Sequence, residues 1–300
     1  MNVQNDTSSE WYYKIQLAED DFTNGPLHSN LALTRRLLSQ IDLDGLNCLD
    51  LGTQEGVIPV LLQRNGVAKT IAYDRWQLEE RIKSVQKAYD VNFDYISGLQ
   101  LRELPKELEK CGEQHFDLVV FSGVLYHLID PLGILSLAKS FCRVGGVFVI
   151  ETAITNSNGM SLHFNAGGKL YGNYANYFLP TVDCLDYFLR MLCLKPLKLE
   201  HISDSTQETK RVAILCRVMP EPVDQTGVVN DEWLHSARFE RDLMNEYGVD
   251  LLPTRDKSDV PLINEEMTDK DAKPLSEMIS ETDELKPEQH EMMLTLDAKL

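Results

Sequence analysis

Residues 48–56 read Cys-Leu-Asp-Leu-Gly-Thr-Gln-Glu-Gly, and residues 71–74 read Ile-Ala-Tyr-Asp. The apolar start of each stretch predicts a buried strand, and the glycines of the first stretch predict a turn that leads into a helix. The second strand ends on an acid, Asp74. This order of strand, turn, helix and strand is typical of α/β folds that bind an adenosine-containing cofactor at the carboxyl ends of parallel strands.

The residue types in this turn indicate how a ligand would be held. Glycines at 52 and 56 let the backbone pass close to a ligand, because glycine lacks a Cβ atom, and the following helix points free N–H groups at it. Asp74 lies 22 residues beyond Gly52, where an acid accepts hydrogen bonds from ribose hydroxyls in doubly wound folds. An ordinary strand–turn–helix with a surface aspartate is the alternative. A nicotinamide motif is not favoured, because Gln54 replaces its middle glycine.

Alternating strand and helix patterns continue along the chain. They predict a Rossmann-like, doubly wound α/β sheet of seven strands with helices on both faces and an antiparallel edge formed by the last two strands. The predicted strands are residues 47–51, 69–73, 93–96, 116–121, 145–151, 196–202 and 210–218, and the predicted helices are residues 30–41, 56–65, 76–88, 132–142 and 181–192.

Three segments divide the chain into an aromatic N-terminal cap (1–30), the α/β domain (31–219) and a tail (220–300). The tail holds 21 Asp and Glu residues against 8 Lys and Arg residues. Four roles are open for it: a lid, a docking arm for a partner, the arm of a homodimer, or a solvated acidic appendage. Helices are expected in the tail at residues 231–247, at residues 275–285 and after Pro287.

Composition limits the classes of partner. The formal net charge of −18 and the absence of a Lys or Arg cluster weigh against a nucleic-acid substrate, because affinity for phosphates depends on those side chains. The six cysteines include no CxxC pair, so no structural zinc or other metal is expected. The sequence shows no secretory signal and no apolar stretch of membrane length. We therefore expect a cytoplasmic protein that does not bind membranes.

A second motif carries candidate catalytic side chains. Residues 116–128 read Phe-Asp-Leu-Val-Val-Phe-Ser-Gly-Val-Leu-Tyr-His-Leu, which predicts a hydrophobic strand followed by a loop with Tyr126 and His127. Residues 144–151 read Val-Gly-Gly-Val-Phe-Val-Ile-Glu and predict a turn and the next strand. Ligands of open α/β sheets bind beyond the carboxyl ends of the strands, so this loop is expected at the site.

These motifs resemble a known enzyme family. The spacing Asp50-x-Gly52-x-x-x-Gly56 resembles the first motif of class I S-adenosylmethionine (AdoMet) methyltransferases. Residues 116–151 strongly resemble the branch that includes the bacterial tRNA wobble-uridine carboxymethyltransferases. The resemblance extends over about residues 22–218. It implies the class I methyltransferase fold and AdoMet as the cofactor.

The resemblance also implies residue roles. In that branch, the positions that match Tyr126 and Arg211 contact a carboxylate on the group that an unusual carboxylated AdoMet transfers. The branch uses a lysine for the same carboxylate, and this chain has Asn24 in its place. The residues expected to line the cofactor site are Asp50, Gly52, Thr53, Gly56, Asp74, Arg75, Trp76, Leu99, Gln100, Ser122 and Gly123.

The missing lysine and the acidic composition together predict plain AdoMet and a small-molecule acceptor. Arg211 and Tyr126 are then expected to bind a carboxylate of the acceptor, for example in an amino-acid-like thioether such as methionine. Pairing of Arg211 with an acid on the neighbouring strand is the alternative. A tRNA wobble-uridine (carboxy)methyltransferase and a non-catalytic AdoMet-binding module whose tail docks a partner remain as other functions.

Catalytic demands depend on the acceptor. Methyl transfer from a sulfonium is an in-line displacement in which the enzyme mainly aligns the acceptor. A thioether needs no base, whereas a hydroxyl or an ammonium group needs one, and His127 is the best candidate; a purely structural His127 is the alternative. Tyr126 is expected beside it. Other side chains expected to contact the acceptor, with core packing as the alternative, are Tyr13, His28 and Tyr177.

Overall fold

The computed structural model describes residues 10–26, 29–169, 174–203, 208–220, 223, 258–263, 273–286, 289 and 292–300. Its strands are β1 (Gln16–Ala18), β2 (Asp21–Phe22), β3 (Asn47–Leu51), β4 (Lys69–Asp74), β5 (Asp94–Ser97), β6 (Phe116–Ser122), β7 (Cys142–Thr155), β8 (Leu162–Phe164), β9 (Phe178–Pro180), β10 (Leu194–Ser203) and β11 (Thr209–Val218). Its α-helices are α1 (Ser29–Leu38), α2 (Val57–Arg64), α3 (Glu79–Tyr89), α4 (Leu104–Lys110), α5 (Pro131–Ser140), α6 (Val182–Met191) and α7 (Leu275–Glu281).

Seven strands form the central sheet in the order β10-β11-β7-β6-β3-β4-β5. Strands β5, β4, β3, β6 and β7 pair in parallel, and β11 pairs antiparallel with both β7 and β10. The predicted seven-stranded sheet and its antiparallel edge are thereby confirmed. The carboxyl ends of the parallel strands meet at one edge, which places the candidate loops together.

Helices cover both faces of this sheet. Successive side chains of a strand point to opposite faces, so the apolar residues of each strand need a helical layer on both sides. Leu118 and Val120 of β6 pack in one apolar layer with α1, α2 and α3. Val119 and Phe121 pack in the other layer with α4, α5 and α6. Near-continuous apolar strands of this kind are expected in a sheet that is buried on both faces.

Local capping explains two helix starts next to the site. The Asp130 side chain accepts a hydrogen bond from the Gly133 amide at 2.9 Å and starts α5, with Pro131 in the first turn, where its missing N–H costs nothing. Thr181 starts α6 by accepting from the Cys184 amide. Helix α4 was not predicted, because its seven residues include only two buried ones and a proline.

The described parts of the tail pack on the domain. Leu262 forms an isolated bridge with Ile41, and Leu275 of α7 is buried in the core. The predicted helix at 275–285 is confirmed as the shorter α7, whereas residues 231–247 lie outside the described residues. Of the helix predicted directly after Pro287, the structure describes Gln289, which is helical, so this helix stays a prediction. Further along, Leu294 pairs in parallel with Ile15. The roles of lid, docking arm and dimer arm stay predictions.

The cap is tied into the same structure. Strands β1 and β2 form a hairpin, and the Tyr13 and Ile15 side chains lie in the core. The part of the chain that the structure describes holds no helix with the length and apolarity needed to span a bilayer.

Candidate active site

The loop after β3 depends on two glycines. Gly52 and Gly56 have φ angles of 85° and 80°, in the left-handed region that glycine enters without a steric cost. A Cβ atom on Gly52 would overlap the Val124 side chain, and one on Gly56 would lie 2.9 Å from the Phe93 ring. The loop is therefore held against β6 and α3 by close backbone approach, and the first motif keeps its predicted shape.

The place of the absent central glycine is occupied by Gln54 in the same left-handed conformation, with φ at 50°. Its backbone N–H donates a hydrogen bond to Asp74 Oδ2 at 2.8 Å. A non-glycine residue in this region carries a conformational cost, which this charge-assisted bond offsets. The turn thus survives without the third glycine of the motif.

Asp74 ends β4 and is 3% exposed. Its Oδ1 accepts from the Trp76 amide at 2.9 Å, and Arg75 lies over the Trp76 ring at 4.9 Å. Burial raises the pKa of Asp74, while the Trp76 and Gln54 amides and the Arg75 charge oppose that rise. Each carboxylate oxygen can accept more than one hydrogen bond, so both remain suited to ribose hydroxyls.

Asp50 lies one strand away and is buried. Burial raises its pKa to about 7; the nearby Thr53 side chain lowers it, and the Asp74 charge raises it further. Its Oδ2 accepts no hydrogen bond from any residue that the structure describes. A buried carboxylate oxygen without a partner is costly unless a donor or a cation reaches it. The amino-acid end of AdoMet carries an ammonium group that fits this need, and the nucleoside end fits Asp74.

The remaining predicted cofactor residues gather at the same strand edge. The Thr53 amide donates to Tyr73 O at 3.1 Å, and the Gly123 amide donates to Glu151 O at 3.0 Å. Leu99 O accepts from the Tyr73 hydroxyl at 2.9 Å, and Gln100 follows at the start of a 3-10 turn. These residues follow the ends of β3, β5 and β6; their contacts with a cofactor stay predictions.

A buried ion pair stands at the end of β6. Arg211 Nε donates to Glu151 Oε1 at 2.7 Å and Arg211 Nη2 donates to Glu151 Oε2 at 2.8 Å. Arg211 Nη2 also donates to the Tyr126 hydroxyl at 3.2 Å. Ser122 and Glu151 lie at the same level, with their side-chain oxygens 3.5 Å apart. Arg211 therefore adopts the alternative arrangement, paired with an acid of the neighbouring strand.

His127 is oriented by a backbone contact. Its Nδ1 lies 2.8 Å from the Ala175 carbonyl oxygen, and its ring lies 4.4 Å from the Tyr126 ring. A carbonyl oxygen only accepts, so Nδ1 carries the proton and the neutral ring presents a lone pair on Nε2. Although part of the ring is exposed, desolvation lowers the pKa of His127, helped by the charges of Arg211 and Arg75 and opposed by the bond to Ala175.

The other residues predicted to contact the acceptor lie in different places in the structure. The Tyr177 amide donates to Tyr126 O at 2.6 Å, which holds the segment around Ala175 against the Tyr126–His127 loop. Tyr13 is 6% exposed and packs in the core, in agreement with its alternative role. His28 lies outside the described residues. Asn24 Oδ1 accepts from the Trp11 amide at 3.0 Å, so this side chain closes the cap.

Two site residues were missed from the sequence. Glu151 follows the apolar run in β7 as Asp74 follows that in β4, and an acid directly after such a run was the available signal. Glu55 stands between the two glycines and is buried, which its charge did not suggest. Among the described residues, no three His, Cys, Asp or Glu side chains lie close enough to hold a metal ion.

Comparison with known proteins places this geometry in a family. A family model described as a methyltransferase domain matches residues 27–183. The chain belongs to this methyltransferase-domain family. Membership confirms the sequence-based assignment to class I AdoMet-dependent methyltransferases, with AdoMet as the cofactor of the family.

Two groups of proteins share parts of this methyltransferase domain. The chain is 28% identical over 171 residues to the tRNA U34 carboxymethyltransferase of Alteromonas mediterranea, covering 56% of this chain and 51% of that protein. It is 33% identical over 174 residues to the enzyme of that name from Idiomarina loihiensis, covering 57% and 52%. The chain thus spans about half the length of these curated relatives.

Solved structures that resemble this chain support the assignment of its fold and nothing further. The [4+2]-cyclase SpnF aligns with a TM-score of 0.51 at 12% identity, over 70% of this chain and 87% of that one. A putative sarcosine dimethylglycine methyltransferase from Galdieria sulphuraria aligns with a TM-score of 0.50 at 13% identity, over 64% and 85%. At these identities the shared architecture carries no statement about substrate.

Proposed function

We propose that this chain is an AdoMet-dependent methyltransferase that acts on a small acceptor through a nitrogen or oxygen nucleophile. The observation that carries the proposal is the orientation of His127, whose Nδ1 proton is committed to the Ala175 carbonyl oxygen at 2.8 Å. A neutral imidazole with a lone pair on Nε2 is the form that a general base requires.

The cofactor part of the proposal rests on the two buried carboxylates. Asp74 would accept hydrogen bonds from the ribose hydroxyls, and Asp50 would receive the ammonium group of the amino-acid end. The bound cofactor supplies an electrophilic methyl group on a sulfonium. A cationic ligand favours the ionised form of Asp50, whose pKa of about 7 would fall when the charge arrives.

The acceptor part rests on His127 and its surroundings. An ammonium group must lose a proton before its nitrogen can attack the methyl carbon, and a hydroxyl loses its proton as the new bond forms. In either case Nε2 of His127 would take that proton. The lowered pKa keeps this histidine neutral at physiological pH. The Tyr126 ring, tilted against the imidazole with the ring centres 4.4 Å apart, restricts rotation of His127 and so helps to align it with the acceptor.

The geometry gives less support to the predicted carboxylate-bearing thioether such as methionine. Such an acceptor would use Arg211, but two nitrogens of this guanidinium already donate to Glu151. A thioether acceptor also has no proton to lose, so the reaction would make no use of His127 as a base. We therefore place the acceptor among amines and alcohols.

A second candidate function is modification of a tRNA wobble uridine. It is favoured by the curated relatives, which are named tRNA U34 carboxymethyltransferases, and by the contact between Arg211 and Tyr126. The net charge of −18 opposes it, because binding to RNA depends on neutralising phosphates.

Transfer of a labelled methyl group separates these functions. The protein is incubated with AdoMet labelled at the methyl carbon and, in parallel, with pooled small metabolites or total tRNA, and the labelled product is identified by mass. We expect label in a small amine or alcohol and a loss of transfer in His127→Gln. Label in tRNA alone would support the second function. Binding of the demethylated product S-adenosylhomocysteine (AdoHcy) without any transfer would indicate the non-catalytic module.

A further inference from the structure

Glu55 lies inside the cofactor loop and links that loop to the cap. Its side chain is fully buried. Its Oε1 accepts from the Tyr12 amide at 2.7 Å and from Arg81 Nη1 at 3.0 Å. This contact joins three parts of the chain: Tyr12 lies in the cap, Glu55 in the loop between Gly52 and Gly56, and Arg81 in helix α3.

The contacts around this carboxylate extend into the cap. The Arg81 guanidinium lies over the Trp11 ring at 5.5 Å, so one cation meets both the carboxylate and an aromatic ring of the cap. The Trp11 amide in turn donates to Asn24, which joins the two ends of the cap hairpin. We call Glu55, Arg81 and the Tyr12 amide the cap latch.

The cap latch sits beside the proposed nucleoside site. Gln54, the residue before Glu55, donates its amide to Asp74. A displacement of the loop would therefore alter both the Asp74 contact and the cap latch. Within the described chain Glu55 Oε2 accepts no hydrogen bond. Burial raises the pKa of Glu55, and the Tyr12 and Tyr13 amides of the cap and the Arg81 guanidinium lower it against that effect, so the ionised carboxylate depends on the cap and on α3. Loss of one of these partners leaves a buried charge poorly compensated.

We propose that Glu55 is a positioning residue that couples the cap to the cofactor loop, so that binding of the nucleoside and closure of residues 10–26 favour each other. The inference rests on the proposed AdoMet site. Coupling between two sites is reciprocal: if the closed cap strengthens cofactor binding, the bound cofactor strengthens closure of the cap. Glu55 touches neither the reacting atoms nor, in this assignment, the cofactor.

The test uses the full chain and AdoHcy. Binding is measured by calorimetry, and hydrogen exchange of the amides of residues 11–22 is measured with and without the ligand. The variants are Glu55→Gln and Arg81→Met, which weaken the same contact from its two sides. The matched control is Glu200→Gln, because Glu200 is also buried and accepts from an arginine, Arg36, at 3.0 Å. Should Glu55→Gln fail to fold, Arg81→Met still gives the answer.

We expect AdoHcy to slow exchange in the cap of the native chain. In Glu55→Gln and Arg81→Met the dissociation constant should rise by about tenfold, within the usual range of coupling between sites, and the ligand should no longer slow exchange in the cap. Glu200→Gln should behave like the native chain.

Three results would overturn the inference. Unchanged affinity and unchanged ligand-dependent exchange in both latch variants would reject the coupling and leave the proposed function standing. An equal loss of affinity in Glu200→Gln would mean general destabilisation. A native chain that binds no AdoHcy would remove the proposed function together with the inference.

Discussion

The cofactor side of the site and the acceptor side are built in different ways. The cofactor side lies at the ends of β3, β4 and β6, and its residues fall in short motifs along residues 48–123. The proposed acceptor side lies at the Tyr126–His127 loop, which the segment before β9 holds through the Tyr177 amide. The cap and the tail around it are likewise joined by contacts between residues far apart in sequence. The Leu296 amide, for example, donates to the Gln16 side chain across 280 positions.

The two sides therefore differ in how far their structure depends on local sequence. A turn with positive φ angles strongly favours glycine, so the cofactor loop can be recognised from its glycines in the sequence. An aromatic cap has no such requirement, because its position is fixed by whatever it packs against. The acceptor side therefore leaves a weaker signal in the sequence than the cofactor side.

The largest effect is expected where the acceptor side contributes chemistry. His127→Gln should lower the turnover number by about 10² to 10⁴, the usual contribution of a general base, while the dissociation constant of AdoHcy stays the same. Since the base must be neutral and its pKa is lowered, the turnover number should rise with pH only below about 6.5, the ordinary pKa of histidine. Steady-state kinetics across pH measures both. An unaltered turnover number would leave His127 a structural residue.

The second-largest effect is expected for removal of the Glu151 charge, which lies between the cofactor side and the acceptor side. Glu151→Gln leaves Arg211 without its charged partner, which typically costs about 3 to 5 kcal/mol of unfolding free energy. Urea denaturation gives the value. Glu113→Gln is the control, because Glu113 pairs with Arg143 at a longer 3.5 Å. Similar losses in both variants would show that burial of the pair has no special weight.

The cofactor loop can be tested through its glycine. Gly52→Ala should cost about 2 to 5 kcal/mol, from overlap with Val124 and from the left-handed backbone. Gly45→Ala isolates the backbone part, because Gly45 has a φ angle of 74° and no heavy atom within 4 Å of its added Cβ; about 1 to 2 kcal/mol is expected there. Thermal or urea unfolding compares them. Equal costs would argue against the close approach to β6.

Affinity for the nucleoside tests the cofactor side directly. Asp74→Asn should raise the dissociation constant of AdoHcy by about 10- to 100-fold, because the amide nitrogen cannot accept from ribose hydroxyls and charge-assisted bonds are worth about 1.5 to 3 kcal/mol. Asp94→Asn is the control, since Asp94 is exposed at the opposite end of β5. Calorimetry reports both constants, and a normal constant in Asp74→Asn would contradict the assignment of the ribose site.

The smallest effect is expected at the exposed rim of the acceptor side. Tyr174 is 82% exposed, so Tyr174→Ala should change the unfolding free energy by less than about 0.5 kcal/mol. If this tyrosine contacts the acceptor, the Michaelis constant for the acceptor rises while that for AdoMet does not. Equal constants for native and variant chains would place Tyr174 outside the acceptor site.

Sequence patterns were sufficient for the sheet and for the cofactor loop. All seven central strands were predicted within a few residues. The signal is clearest in β3, β4, β6 and β7, which contain apolar runs that end at a turn residue or an acid. The loop with Tyr126 and His127 was predicted at the end of β6 for the same reason. These features depend on neighbours along the chain, which a single sequence displays.

The failures involve contacts between distant residues. Leu294 of the tail pairs with Ile15 of the cap, a contact that no local pattern of the tail predicts. Tyr13 was expected at the acceptor and lies in the core. The pairing of Arg211 with Glu151 was only an alternative, because two adjacent strands far apart in sequence had to be brought into register.

A crystal structure of the full chain with AdoHcy tests the division between the two sides most directly. We expect the ribose hydroxyls within hydrogen-bond distance of the Asp74 carboxylate, the ammonium group at Asp50, and the sulfur facing the Tyr126–His127 loop. A nucleoside bound elsewhere, or a sulfur that points away from His127, would contradict the proposed site.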